Sequence, residues 1–402
     1  MNVGSNEAPP ARTVRGAALS DFPLFAPLRL RELTLRNRVV VSPMQMYSAH
    51  DGLVGDWHLV HLGRFALGGA GLVVVEATAV CPEGRSTLHD NGLWNEAQAD
   101  AFARITDFLR ANGAASAIQL QHAGRKASSQ APWDGFGPLG ERDAARGEQR
   151  WQAWGPTRAG WSDQYPPAHP MGEVEIAYLL ERYRHSARLA LRAGFDAIEI
   201  HAAHGYLLHS YLSPLSNTRG DAYGGDREGR MRLPLQVAAT VRETWPAERP
   251  LFFRMSAVDG VGIGWSLEDS IELAKRLRAL GVDVIDCSSG GMSLPAATSL
   301  VAREPGFQVP FARELRRHAG IATMAVGLIR TPERANAIIA NGDADLVALG
   351  REHLWNPNWA AQSAVQLDAD SGWKWWPRSF GWWLRRRDRR AADAVPPDRI
   401  CP

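Results

Sequence analysis

Cysteine is scarce in this chain: Cys81, Cys287 and Cys401 are the three in 402 residues. They lie far apart and no Cys-x-x-Cys occurs, so neither a disulfide framework nor a zinc ribbon is supported. A reducing compartment, the cytoplasm, is the default expectation. No stretch of about 18 apolar residues exists, which excludes a transmembrane helix, and no membrane partner is expected. Residues 1–21 carry Gly, Pro, Ser and two Arg but no apolar run, which is the pattern of a flexible tail and not of a signal peptide. Net charge is also small, +2 from 45 basic and 43 acidic residues. That gives no bulk attraction to nucleic acid. With 45% hydrophobic and 22% charged residues, the composition is that of a globular protein with a sizeable core.

What is present is an alternation of strand and helix patterns. Residues 24–35 alternate apolar with polar across a short turn, which predicts a small hairpin able to plug one end of a barrel. Strand patterns follow at 38–42, 71–76, 115–121, 195–201, 251–256, 282–288, 321–327 and 345–350. Helix patterns lie between them at 57–67, 95–112, 173–194, 228–245, 267–281, 310–319 and 331–341, many ending at Gly or Asn. Eight such units predict an α/β fold, a (β/α)8 TIM barrel. A doubly wound open sheet is the alternative, and it lacks a Gly-x-Gly-x-x-Gly after the first strand. Three regions result: the tail 1–21, a barrel over 22–370, and a Trp/Arg-rich extension over 371–402. Residues 123–172, after the third strand, are too long for a plain loop. They hold Trp133, Trp151, Trp154 and Trp161, the composition of an ordered cap over the barrel mouth, with a surface insertion as the alternative.

Chemistry is usually placed where barrel strands end. The fourth strand ends in His201-Ala202-Ala203-His204-Gly205-Tyr206. Two imidazoles there can donate hydrogen bonds to one substrate oxygen and stabilise charge that develops on it. A phenol two residues on can deliver a proton. A zinc site is the rival reading, but no glutamate follows the first histidine as in His-Glu-x-x-His, and no metal is expected. A pair of core histidines with a packing tyrosine is the other. Further strand ends supply Ser42-Pro43-Met44-Gln45-Met46-Tyr47, Glu76-Ala77, Gln119-Leu120-Gln121-His122-Ala123-Gly124-Arg125-Lys126, Arg254, Gly327 and Gly350-Arg351. Glycines after strands seven and eight, with an arginine opening the next helix, describe the phosphate site common in such barrels.

Four of these stretches, Ser42-Pro43-Met44-x-Met46-Tyr47, 122–126, 201–206 and Ser213-Pro214-Leu215-Ser216-Asn217 through Gly225, resemble the old yellow enzyme family of FMN-dependent ene-reductases. The likeness is closer to its bacterial branch of xenobiotic reductases and YqjM-like enzymes. The resemblance runs from about residue 24 to residue 366 and implies FMN as cofactor, with NADPH or NADH as electron donor. It places Ser42, Pro43, Met44, Gln45, Ala77, Gln119 and Arg254 against the flavin ring and ribityl chain. Gly327, Gly350 and Arg351 fall at the phosphate. His201 and His204 match the pair that grips a substrate carbonyl or nitro oxygen, Tyr206 the proton donor, and Tyr47 a substrate-contacting tyrosine. The implied reaction is ping-pong: NAD(P)H reduces the flavin, and an α,β-unsaturated carbonyl, an enone-type small molecule, is then reduced at Cβ and protonated at Cα.

Two departures stand out. The branch commonly has a cysteine against the flavin where this chain has Gln45, whose amide is able to donate to the flavin C4 oxygen. The usual Glu-Asn-Arg after Tyr-Gly-Gly is Glu228-Gly229-Arg230, at a helix start where packing is affected before catalysis. Alternative functions are a flavin oxidoreductase or desaturase acting on a CoA thioester or aromatic acyl substrate, and a non-catalytic flavin-binding module. Relatives often end with an aromatic and an arginine that enter a neighbour's active site. Phe380, Trp382 or Trp383 with Arg378 or Arg385 are candidates, which implies a homodimer or homotetramer.

Overall fold

The computed structural model describes residues 22–292, 301–368 and 370–392. The expected tail 1–21 and residues 393–402, Cys401 among them, lie outside the described residues. All eight strand patterns form strands: β1 (Val39–Val41), β2 (Leu72–Ala79), β3 (Ala115–Gln121), β4 (Ala197–Ala202), β5 (Leu251–Ser256), β6 (Val284–Ser288), β7 (Ala322–Ala325) and β8 (Leu346–Leu349). Each pairs in parallel with its sequence neighbours. The ring then closes, since β1 pairs with β8 on one side (Val40 with Ala348) and with β2 on the other (Val40 with Leu72). The fold is a (β/α)8 barrel, and the open-sheet alternative is excluded.

Period-two alternation decides which residues enter the barrel. In β4, Ile198, Ile200 and Ala202 pack outward against helices, while Ala197 joins the inner core, so Glu199 and His201 share its inward face. Leu72, Phe252, Val284, Met324 and Leu346 fill the interior at the strands' N-terminal end. The hairpin Leu28–Leu30/Leu33–Leu35 pairs antiparallel and adds Leu30 and Leu35 to that cluster, which closes this end as the sequence suggests. Moving up each strand, the inward residues turn polar: Glu76, Gln119, Glu199, Arg254 and Asp286 are all buried.

The helices follow their caps. Asn95, Asp226, Ser266 and Thr331 each accept a backbone N–H of the first turn. At the helix Arg227–Thr244, a Cβ on Gly229 would fall 2.0 Å from Gly224 O. The glycine in place of the usual asparagine therefore lets the helix start sit directly on the preceding turn. Arg351 opens a short helix, Arg351–Trp355, as expected; helices not foreseen from sequence are the short Glu141–Ala144 and Leu207–Leu212, then Trp359–Leu367 and Arg378–Ala392. The last converts much of the extension into a helix with Phe380, Trp382 and Trp383 at 47%, 49% and 67% exposure. No helix among the described residues is long and apolar enough to cross a membrane.

Leu35 is fully buried in the plug. Leu35→Ala should cost about 2–5 kcal/mol, read from the urea midpoint at unchanged slope, and a cost under about 1 kcal/mol would show that the hairpin is not part of the core.

Candidate active site

The sequence-derived residues lie at the C-terminal rim or just beneath it. A cavity of about 160 Å³ sits between the ends of β7 and β8, lined by Gln308, Gly327, Leu328, Gly350 and Arg351. Gly327 has φ +117, open only to glycine, and a Cβ there would meet Gln308 Oε1 at 3.0 Å. A Cβ on Gly350 would sit 3.4 Å from Met44 Sδ. Side-chain-free backbone beside an arginine fits a phosphate monoester. From this cavity Gln308 reaches toward the end of β6, donating to Ser288 Oγ at 3.2 Å and Ser289 Oγ at 2.9 Å.

Ser288 Oγ lies 2.6 Å from His204 Nε2. Gln308 and His204 thus meet on one hydroxyl, which ties the cavity beside Arg351 to the histidine pair. His201 Nδ1 accepts the Ala203 N–H at 3.2 Å, so its proton sits on Nε2. The two rings are edge-to-face at 5.2 Å, and Tyr206 stands edge-to-face on His201 at 4.9 Å. Burial, and after it the Arg254 charge, hold both imidazoles well below the ordinary 6.5. Both are neutral N–H donors at neutral pH. Among the described residues no group of three or more His, Cys, Asp or Glu is arranged to hold a metal ion.

Burial pushes the Tyr206 phenol well above 10, with Tyr47 and Asp90 adding to the effect. Its hydroxyl donates to Gln45 Oε1 at 2.5 Å. Gln45 is turned by its other end: Nε2 donates to Ser86 Oγ and Asp90 Oδ2, both at 3.1 Å. The amide is thus engaged with these two residues, and not free to face a flavin carbonyl as its position in the sequence suggests. Tyr47 has φ +53, a left-handed backbone costing on the order of 1–2 kcal/mol in a non-glycine residue. Its ring meets Trp133 of the insertion edge-to-face at 5.6 Å.

The insertion is an ordered cap. Trp151 Nε1 donates to Glu83 O at 3.0 Å, and Trp154 stacks on His122. Phe136, Trp161 and Tyr165 line a small cavity together with Tyr47, Lys126 and Tyr206. Lys126, part of a quoted motif but without an assigned role in the sequence reading, donates to His204 O at 2.6 Å and lies 4.4 Å over the Trp161 ring. Burial lowers its pKa to about 7, helped by the charge of Arg125.

Beneath the rim, Gln119 Nε2 donates to Glu199 Oε1 at 2.8 Å, and Arg254 Nε lies 3.1 Å from Asp286 Oδ2. Burial raises the Glu199 and Asp286 carboxyls, and Asp286 raises Glu199 further. Glu76 is pushed up by burial to about 8. Glu199 Oε2 and Gln121 Oε1 have no hydrogen-bond partner within the protein. With Ser42 and Ala77 buried nearby on their strands, this polar floor fits a planar heterocycle rich in N–H and carbonyl groups. Sequence reasoning missed Asp90, Ser288 and Gln308, none of which belongs to the stretches that stood out. Period two along β6 would have placed Ser288 on the inward face with Asp286.

Comparisons with known proteins show the family and the fold. The model of the NADH:flavin oxidoreductase / NADH oxidase family matches residues 23–370. The NADPH dehydrogenase of Geobacillus thermodenitrificans is 43% identical over 346 residues, covering 86% of this chain and 94% of that protein. The NADPH dehydrogenase of Bacillus subtilis is 39% identical over 349 residues, 86% of this chain and 96% of that one. Among solved structures, the old yellow enzyme homologue from Zymomonas mobilis superposes with a TM-score of 0.67 at 27% identity, over 83% of this chain and 90% of that chain.

Because both imidazoles are held below 6.5, they stay neutral as the pH falls through the range in which an exposed histidine takes a proton. The ring signals of His201 and His204, assigned in NMR spectra with single substitutions, should not move between pH 8 and 6.5. A titration centred at or above 6.5 for either would contradict the neutral pair.

Proposed function

The chain belongs to the NADH:flavin oxidoreductase / NADH oxidase family and is an FMN-dependent NAD(P)H oxidoreductase; from that premise we propose that it is an ene-reductase acting on α,β-unsaturated carbonyl or nitro compounds. The observation that carries the reading is two neutral imidazoles and a protonated phenol packed edge-to-face at the end of β4. FMN, when bound, would supply the hydride chemistry that links NAD(P)H to the alkene. Arg351 with the backbone at Gly327 and Gly350 would hold its phosphate. Ser42, Pro43, Met44, Ala77, Gln119 and Arg254 would surround the ring and ribityl chain, with the Arg254 cation favouring an electron-rich ring, while the Gln45 amide stays turned to Ser86 and Asp90.

The chain's own contribution to the second half-reaction is electrostatic and protic. His201 through Nε2–H and His204 in its Nδ1–H form bind the substrate oxygen and draw electron density from the conjugated double bond. Their neutrality suits this role, because they donate without surrendering a proton. As hydride reaches Cβ, the π pair moves to Cα and takes the Tyr206 proton, and water returns a proton to the phenolate. Tyr47 and the cap aromatics enclose the substrate and keep the site dry.

The barrel over residues 22–370 carries the cofactor site. The exposed Phe380, Trp382 and Trp383 of the helix Arg378–Ala392 support a subunit interface in a homodimer or homotetramer. The buried, unpaired Cys81 and Cys287 are in keeping with a reducing cytoplasm.

An anaerobic visible spectrum tests the reading. NADPH should bleach the flavin band, and 2-cyclohexenone should restore it. Bleaching without recovery would remove the enone class. Tyr206→Phe should retain reduction by NADPH and slow the recovery by about 10²-fold or more, the range of a lost general acid. Recovery at the original rate would assign the proton to water.

A further inference from the structure

His201, His204 and Tyr206 do not hold their own positions. They flank a tight turn in which His204 has φ +60 and Gly205 φ +78, closed by Tyr206 N–H to Ala203 O at 3.2 Å. This is the mirror-image turn geometry, costly for a histidine at its first central position. Around it the backbone is gripped at three points. His204 N–H donates to Ser256 Oγ at 3.0 Å, and Lys126 Nζ donates to His204 O at 2.6 Å. The third point is a buried imidazole: Gly205 N–H donates to His209 Nδ1 at 2.8 Å.

His209 takes no part in the reaction described above, yet it is fully buried with a carboxylate, Asp259, at 2.9 Å from its Nε2. Its tautomer follows from its partners. Nδ1 accepts from Gly205, so Nε2 carries the proton and donates to Asp259 Oδ1. Asp259 Oδ2 accepts from Ser213 Oγ at 2.6 Å and from the Trp265 N–H at 2.7 Å. Trp265 O in turn accepts the Asp259 N–H at 3.0 Å, so the loop after β5 is tied back on this aspartate. Gly291 packs so closely over the turn that a Cβ there would fall 2.1 Å from His204 Cα. The turn has no room to adopt another shape while the dyad is intact.

We propose that His209 and Asp259 are positioning residues for the alkene half-reaction: Asp259 fixes the His209 tautomer, and His209 thereby fixes the turn that presents His204 and Tyr206. The proposal rests on the ene-reductase reading of His201, His204 and Tyr206.

Asp259→Asn is the informative change, because it keeps size and alters one hydrogen-bonding choice. The Trp265 N–H only donates, so the amide oxygen must take the Oδ2 place and the NH2 must face His209. His209 Nε2 then has to accept, its proton moves to Nδ1, and Nδ1–H meets Gly205 N–H donor to donor. In the FMN-loaded enzyme, reoxidation by 2-cyclohexenone should slow at least tenfold and need more enone for half-saturation. The ¹⁵N spectrum should show His209 changing from the Nε2–H to the Nδ1–H form. Ser213→Ala, which spares the His209–Asp259 bond, should stay within twofold of the parent. In a His204→Ala background, Asp259→Asn should cost less than in the parent, because the part of its effect that runs through His204 is already gone. A changed tautomer with an unchanged enone rate would overturn the proposal, as would full additivity with His204→Ala. If Asp259→Asn does not fold, the unsubstituted holoenzyme still decides: an Nε2–H signal for His209 supports the proposal and an Nδ1–H signal overturns it. If His204→Ala alone left the enone rate unchanged, the reading of the histidine pair would fail instead, a separate outcome.

Discussion

A closed ring of hydrogen bonds between eight parallel strands decides where the strand-borne functional side chains go. Since all strands run the same way, their last residues share one rim. Since side chains alternate, every second residue is committed to the interior. The chain thus needs only a polar residue at the correct parity near a strand end to deliver it to the site. His201, Arg254 and Ser288 arrive in this way from β4, β5 and β6. The apolar lower interior, sealed by Leu30 and Leu35, makes the arrangement stable enough to carry a polar upper half.

That upper half is expensive. Glu76, Glu199, Arg254 and Asp286 lie within a few percent of full burial, where unpaired charge is heavily penalised. The raised carboxyl pKa values express the cost, and the single cation offsets part of it. The same environment is useful to the reaction: low dielectric strengthens each donor aimed at a substrate oxygen and keeps the imidazoles neutral. Strain is concentrated in the same place, with Tyr47 and His204 both in left-handed backbone while the surrounding packing holds them.

Period and punctuation made the barrel legible. The run Ala197-Ile198-Glu199-Ile200-His201 carries its parity openly, and Asn112 and Gly320 end helices as their chemistry suggests. The eight strands were therefore readable one by one. The helix Arg378–Ala392 was not, because its tryptophans and arginines read as a composition and the long basic run hid any apolar stripe. At the site, the stretches 201–206 and 42–47 pointed to the correct rim. The direction of Gln45 was beyond reach, since it is set by Asp90 and Ser86, which lie some 40 residues away along the chain. The His209–Asp259 bond is of the same kind: each residue is unremarkable in sequence and meaningful only as a pair across two loops.

Barrel closure also has a consequence for how the protein is made. Val39 pairs with Val347, so the first strand waits for the last before its second edge is covered. Roughly 300 residues of chain separate the two, and at about 5–20 residues per second a ribosome needs on the order of 15–60 s to supply them. During that interval Val39-Val40-Val41 presents an unpaired, wholly apolar edge next to the hairpin that is to seal the floor. Folding is therefore governed by a late, long-range closure, and the nascent chain spends most of its synthesis as an open sheet that has to be kept from pairing with its neighbours.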